Sequence, residues 1–173
     1  MSFKALFEST QAKLRDGGTA NPIHVKVRSE NRGGFRSTVK IRDFTLTIDQ
    51  PKGFGGTNMG PKPSEVVLAA LAACQETTWR LHADALDIPL HSIAVELDGL
   101  QDLRGFLAVD DTRAGFQRIA GTVTVESPAS DAEIERLKRV VDQHCPVLDD
   151  LRTPVTVKLA WRRAGAGQEG ERN

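Results

Sequence analysis

The chain has 173 residues, and its 23 Lys+Arg match its 23 Asp+Glu, so the formal net charge is zero. That length suits one domain with a sizeable core. The charge balance excludes the basic surface of a nucleic-acid binder, and no apolar run reaches the ~18–20 residues that span a bilayer.

Within 2–15, Phe3, Leu6, Phe7, Thr10 and Leu14 recur at three- and four-residue spacing. This predicts a short amphipathic helix, with an initial strand as the alternative. Interspersed charge is unlike the basic-then-apolar layout of a secretion signal, so the expected compartment is the cytoplasm. "DGGTANP" (16–22) is a loop. Segments 23–29, 35–41 and 44–50 place apolar residues at alternate positions and predict three half-buried strands. A turn at 30–34 and a tight connection at Arg42-Asp43 join them into a meander.

The stretch 51–63 is a Gly/Pro-rich loop. Ser64 is the predicted N-cap of the next helix, with Glu65 in its first turn where the dipole favours a carboxylate. The helix runs to about Leu86, before Asp87 and Pro89. From Val66 to Cys74 it is apolar on all sides, which predicts burial all round, at the centre of the molecule or of a dimer. Residues 92–100 and 118–127 are strands, joined by a long polar connection. Ser130 and Glu133 have capping-box spacing. They open a second helix with an apolar stripe at Ile134, Leu137, Val140, Val141 and Leu148, interrupted where Cys145 meets Pro146. Residues 153–161 are the last predicted strand. The expected fold class is α+β: two antiparallel sheets with two main helices. One domain covers 1–162, with 1–22 as an N-terminal extension and 163–173 as a disordered tail.

From its helix alone, Cys74 reads as a small core residue, since free cysteine is among the most buried types. Cys145, on a different predicted helix, opens the reading of a redox pair. His82 and His144 lie near the two cysteines, but no closely spaced cluster such as CxxC accompanies them, and no metal, flavin or haem is expected. Trp79 reads as core packing. The glycines of "GFGGTNMG" lack both the Gly-Lys-Ser/Thr ending and the GxGxxG spacing of phosphate loops. Low net charge leaves little repulsion between copies and favours self-association.

"GGTNMGPKPSEVVLAALAACQ", a strand-rich middle and "HCPV" together resemble the OsmC/Ohr family, over about residues 35–160. The resemblance implies an intertwined homodimer with two sites at the subunit interface and reduction of organic hydroperoxides by a cysteine pair. It gives Cys74 the peroxidatic position and Cys145 the resolving one, through an intramolecular disulfide. An external dithiol, such as a lipoyl group on a protein, then restores the thiols. The chain departs from the family pattern twice. The family's catalytic Glu directly follows the loop's Pro; here Ser64 stands there and Glu65 comes one residue later, turned by about 100° on a helix. The family's thiolate-pairing Arg falls on Gly33 in one subfamily's frame, flanked by Arg32 and Arg36. In another subfamily's frame it falls near Phe54, with Lys52 the closest cation. Glu65 and Arg36 are the candidate activating residues. The alternative function is a non-peroxidatic dimer of the same family that binds a small apolar molecule at its interface.

Overall fold

Two antiparallel sheets and five α-helices make up the regular structure in the computed structural model, which describes residues 3–17 and 22–164. In chain order these are α1 (Lys4–Asp16), β1 (Arg28–Asn31), β2 (Ser37–Ile41), β3 (Phe44–Ile48) and a 3-10 turn (Lys52–Phe54). Then come α2 (Pro63–Ala85), β4 (Ser92–Leu100), α3 (Leu103–Phe106), β5 (Arg118–Glu126), α4 (Asp131–His144) and α5 (Pro146–Arg152). The N-terminal periodicity resolves as a helix.

Strands β1, β2 and β3 form one antiparallel sheet in that order. Its second hairpin turns through Arg42-Asp43, with Ile41 opposite Phe44 and Arg42 at φ 53°. Strands β4 and β5 form a second, two-stranded sheet, with Ser92 opposite Glu126 and Leu100 opposite Arg118. Helix α2 packs on β4, α4 and α5. Trp79 and Ala83 of α2, Ile88, and Leu137 and Val141 of α4 form the buried core, with Ile93, Val123 and Val125 of the sheet against it. The β1–β3 sheet makes no comparable packing against any helix of its own chain.

The capping box opens α4 as the spacing predicts: the Glu133 carboxylate accepts from the Ser130 N–H at 2.9 Å. Helix α2 begins differently. Ser64 is not its N-cap; Lys62 is, followed by Pro63 in the first turn. Proline suits that position because its missing N–H would have had no partner there. Glu65 then accepts from the Lys62 N–H at 2.8 Å.

Three further expectations change. First, α2 is not buried all round within one chain. Its buried residues are Leu71, Gln75, Thr78, Trp79 and Ala83, while Val67, Ala69, Ala70 and Ala73 are exposed. Secondly, the strand expected from 23 starts only at Arg28, and Ile23 and Val25 are 83% and 80% exposed. Thirdly, 153–161 joins no sheet among the described residues, and Leu159 and Trp161 are 93% and 86% exposed. Alternation specifies which side chains share a face; it does not supply the edge against which a strand forms. The predicted tail lies, from residue 165 on, outside the described residues.

Candidate functional site

The two cysteines meet although 71 positions separate them. Cys74 sits mid-way along α2, and Cys145 caps both the end of α4 and the start of α5. The break at Cys145-Pro146 turns the chain so that the Cys145 thiol points back to α2. Its Sγ–H donates to Cys74 Sγ at 3.3 Å, and both thiols are free. A disulfide needs about 2.05 Å between sulfurs, so the two thiols are in contact but not bonded. Cys145 is 1% exposed and Cys74 is half-buried. Cys74 is thus the more exposed residue of the two.

Burial pushes the Cys74 thiol above its ordinary value, and the neighbouring Cys145 adds to the rise. The Val147 N–H at the start of α5 and the Thr78 hydroxyl oppose it. No basic side chain is among these influences. Thr78 donates its hydroxyl to the Cys74 carbonyl at 2.7 Å, one turn back along α2.

The other residues singled out from the sequence lie away from the sulfurs. Glu65 is nine residues before Cys74 on α2, about 13 Å along the axis at ~1.5 Å per residue. Its carboxylate caps Lys62, through the backbone N–H and an ion pair to Nζ at 3.4 Å. Arg36 is exposed just before β2, on the sheet that packs against no helix, and its carbonyl accepts from Asn31 Nδ2 at 3.2 Å. Arg32 pairs with Glu30 at 3.3 Å. Lys52 lies in the 3-10 turn, and Gly33 and Gly34 form the hairpin tip with φ 135° and 60°. His82 and His144 stack on each other with centroids 5.4 Å apart, and Phe7 of α1 meets His82 edge-on at 5.6 Å. Burial and the neighbouring His144 charge push the His82 pKa down.

Two cavities flank α2, and neither contains a sulfur. One, of about 520 Å³, is walled by Pro51, Phe54, Pro63, Val67, Leu103 and Phe106. It is apolar and of ligand size. Its aromatic wall continues from Phe106 to Phe54 (5.9 Å) and on to Phe35 of the hairpin tip (6.2 Å). Val67 precedes Cys74 by seven residues, two helical turns, so both lie on one side of α2, about 10 Å apart along the axis. The second, a trough of about 900 Å³, runs beside β5 between α2 and α4. Gln75 and Trp79 border it, and their buried Nε2 and Nε1 atoms find no acceptor among the described residues.

The residue that the sequence reading overlooked is Asp49, at the end of β3. It is 1% exposed. Its carboxylate accepts from the N–H groups of Gln50 (2.8 Å), Thr57 (3.1 Å) and Met59 (3.1 Å) and from the Thr57 hydroxyl. The Thr57 hydroxyl above all, with the three backbone donors, holds the pKa at about 2. An Asp opening a Gly-rich run with a Thr eight residues on was the available signal.

The family model described as OsmC-like protein matches residues 55–160. An uncharacterised protein of Haloferax volcanii is 26% identical over 133 residues, 74% of this chain and 87% of that protein. Among solved structures, an OsmC-like protein from Mycoplasma pneumoniae superposes with a TM-score of 0.68 at 24% identity, covering 78% of this chain and 91% of its own. An organic hydroperoxide resistance protein OsmC from Legionella pneumophila superposes at 0.61 with 20% identity, over 78% of this chain and 93% of its own. At such identities the structural likeness establishes the fold.

Proposed function

The chain belongs to the OsmC-like family, and from that premise we propose that it is a thiol-dependent reductase of organic hydroperoxides that works as a homodimer. The observation that carries the reading is the Cys74–Cys145 pair at 3.3 Å. The Cys74 thiolate attacks the terminal peroxide oxygen, the O–O bond breaks, and the organic alkoxide leaves and takes up a proton as the alcohol. Cys74 is then a sulfenic acid. The Cys145 sulfur displaces its hydroxyl, so that a disulfide and one water form. Two electrons have passed from the thiols to the peroxide. An external dithiol, of the lipoyl type in this reading, returns two electrons and two protons and is itself oxidised to a disulfide. The 520 Å³ cavity on the same side of α2 takes the apolar tail of the peroxide.

A second copy supports this chemistry in three ways. Its body covers the exposed stripe of Val67, Ala69, Ala70 and Ala73. Its strands supply edges for 23–27 and 153–161, whose alternating apolar residues are exposed. It also brings a cation to Cys74, for which Arg36 is the assigned candidate and Arg32 and Lys52 are the alternatives. A cation within reach favours the thiolate and offsets the cost of burial. Glu65 takes the part of the carboxylate that orients this cation.

One observation favours a second reading. The raised Cys74 pKa and the absence of a basic group among its influences describe a protonated thiol at neutral pH. In that reading the dimer binds a small apolar molecule in the same cavity and reduces nothing. Turnover separates the two. With cumene hydroperoxide and a lipoyl-type dithiol, the wild type consumes peroxide; Cys74→Ser does not; Cys145→Ser reacts once and holds a sulfenic acid that a dimedone-type reagent traps. Equal consumption by wild type and Cys74→Ser ends the reductase reading.

A further inference from the structure

Among the described residues Asp49 is the most deeply buried carboxylate, and its hydrogen-bond donors there are backbone N–H groups and a hydroxyl. An ionised group in such a place must be met by donors, and here three backbone N–H groups and one hydroxyl meet it. All four belong to residues 50–59, so one carboxylate gathers the whole segment around itself. Oδ1 takes Gln50; Oδ2 takes both groups of Thr57 and Met59. The segment folds closely on itself at Gly56, and Gly60, just after it, lies against β3. A Cβ on Gly56 would lie 1.9 Å from the Gln50 carbonyl oxygen, and one on Gly60 would lie 2.1 Å from that of Thr47. Only glycine permits that approach. The Asp49 N–H also donates to the Pro61 carbonyl at 3.1 Å, which ties the knot to the residues that begin α2.

Gln50, Pro51 and Phe54 from this segment, and Lys62, Pro63 and Ser64 that follow it, line the apolar cavity. Asp49 itself does not line it and does not touch either sulfur. We propose that Asp49 is a positioning residue: it fixes the Phe54 wall and the α2 entry of the cavity, and through them sets the preference for bulky organic hydroperoxides over hydrogen peroxide. This rests on the reductase reading. Hydrogen peroxide has no tail and needs only the thiols. An aryl or alkyl hydroperoxide needs the wall to place its tail, and a displaced wall misplaces the reacting oxygen.

The test is single-turnover oxidation of reduced protein by cumene hydroperoxide and, separately, by hydrogen peroxide. Asp49→Asn puts an amide into a pocket of donors. It is expected to lower the cumene-to-hydrogen-peroxide rate ratio about tenfold, with the hydrogen peroxide rate within about twofold of wild type. Thr57→Val, which keeps the carboxylate and the backbone donors, lowers the ratio by about threefold, less than the loss of the charge because it removes one charge-assisted bond of four and leaves the other three. A parallel fall of both rates, or an unchanged ratio in both variants, overturns the proposal. If the wild type reacts with neither peroxide, the reductase reading fails by itself. Asp49 is then judged by fluorescence titration with N-phenyl-1-naphthylamine. Weaker binding by Asp49→Asn and by Phe54→Ala than by wild type upholds the positioning role, and unchanged binding by Asp49→Asn rejects it.

Discussion

The helical body and the β1–β3 arm of this molecule are made of similar residues and behave differently. In the body, α2, α4 and the β4–β5 sheet bury Trp79, Ala83, Leu137 and Val141 almost completely. In the arm, Val39, Leu46 and Phe44 share one face of a regular sheet, yet Phe44 is 62% exposed. The flanking segments at 23–27 and 153–161 are likewise apolar at alternate positions and uncovered. The body finishes its own core. The arm and the flanking segments carry a sheet-forming pattern that the described residues leave uncovered, and in the proposed dimer the second copy covers it. The dithiol belongs to the body, and the candidate cation belongs to the arm.

The largest expected effect lies in the body. Leu137→Ala should destabilise the fold by about 3 kcal/mol in urea unfolding, because it leaves a cavity where Leu137 is fully buried. Leu159→Ser in the C-terminal segment should change body stability by less than about 0.5 kcal/mol, yet shift sedimentation from dimer to monomer. If Leu159→Ser unfolds the body, or leaves the dimer intact, the division between the regions is wrong.

An intermediate effect concerns Asp49, where arm and body join. Its folded pKa of about 2 lies below the ordinary 3.8. Its ionised form therefore stabilises the fold in full above about pH 4, and that contribution is lost as the pH falls through about 2. Asp49→Asn lacks it. The urea midpoints of wild type and Asp49→Asn should differ at pH 5 and converge by pH 2; a constant gap contradicts the assignment.

The smallest effect is at α1. Phe7 rests on His82, Lys4 pairs with Asp87, and the Phe3 N–H donates to Asp84 at 2.7 Å. His82 is held below its ordinary pKa, so the unfolded group binds protons first and docking weakens as the pH drops below about 6.5. Amide protection factors across Lys4–Asp16, taken relative to the intrinsic exchange rate at each pH, should fall between pH 7 and 5, and His82→Phe should remove that dependence.

Much of the fold is legible in the residues. Alternation located β2 to β5, Ser130 and Glu133 marked the start of α4, and Cys145-Pro146 marked its end. Ser64 misled because the proline before it takes the first helical position and moves the cap back to Lys62. Segment 153–161 misled because a pattern names a face without naming the neighbour. The cysteine pair was legible once both halves of the motif were taken together, but the cation proposed to activate it was not. Arg32, Arg36 and Lys52 all sit on surface turns whose position against α2 no local pattern encodes. Asp49 escaped notice because three of its four donors are backbone N–H groups, which leave no mark in a sequence, and Thr57 alone is a weak signal.

The central claim is that Cys74 and Cys145 form a working dithiol. The direct measurement is mass spectrometry of the reduced protein after one equivalent of cumene hydroperoxide, with peptide mapping. The account predicts loss of two hydrogens and a Cys74–Cys145 disulfide that a lipoyl-type dithiol reverses. Two thiols still free after the peroxide is added, or a Cys74→Ser variant that consumes the peroxide as fast, would contradict it.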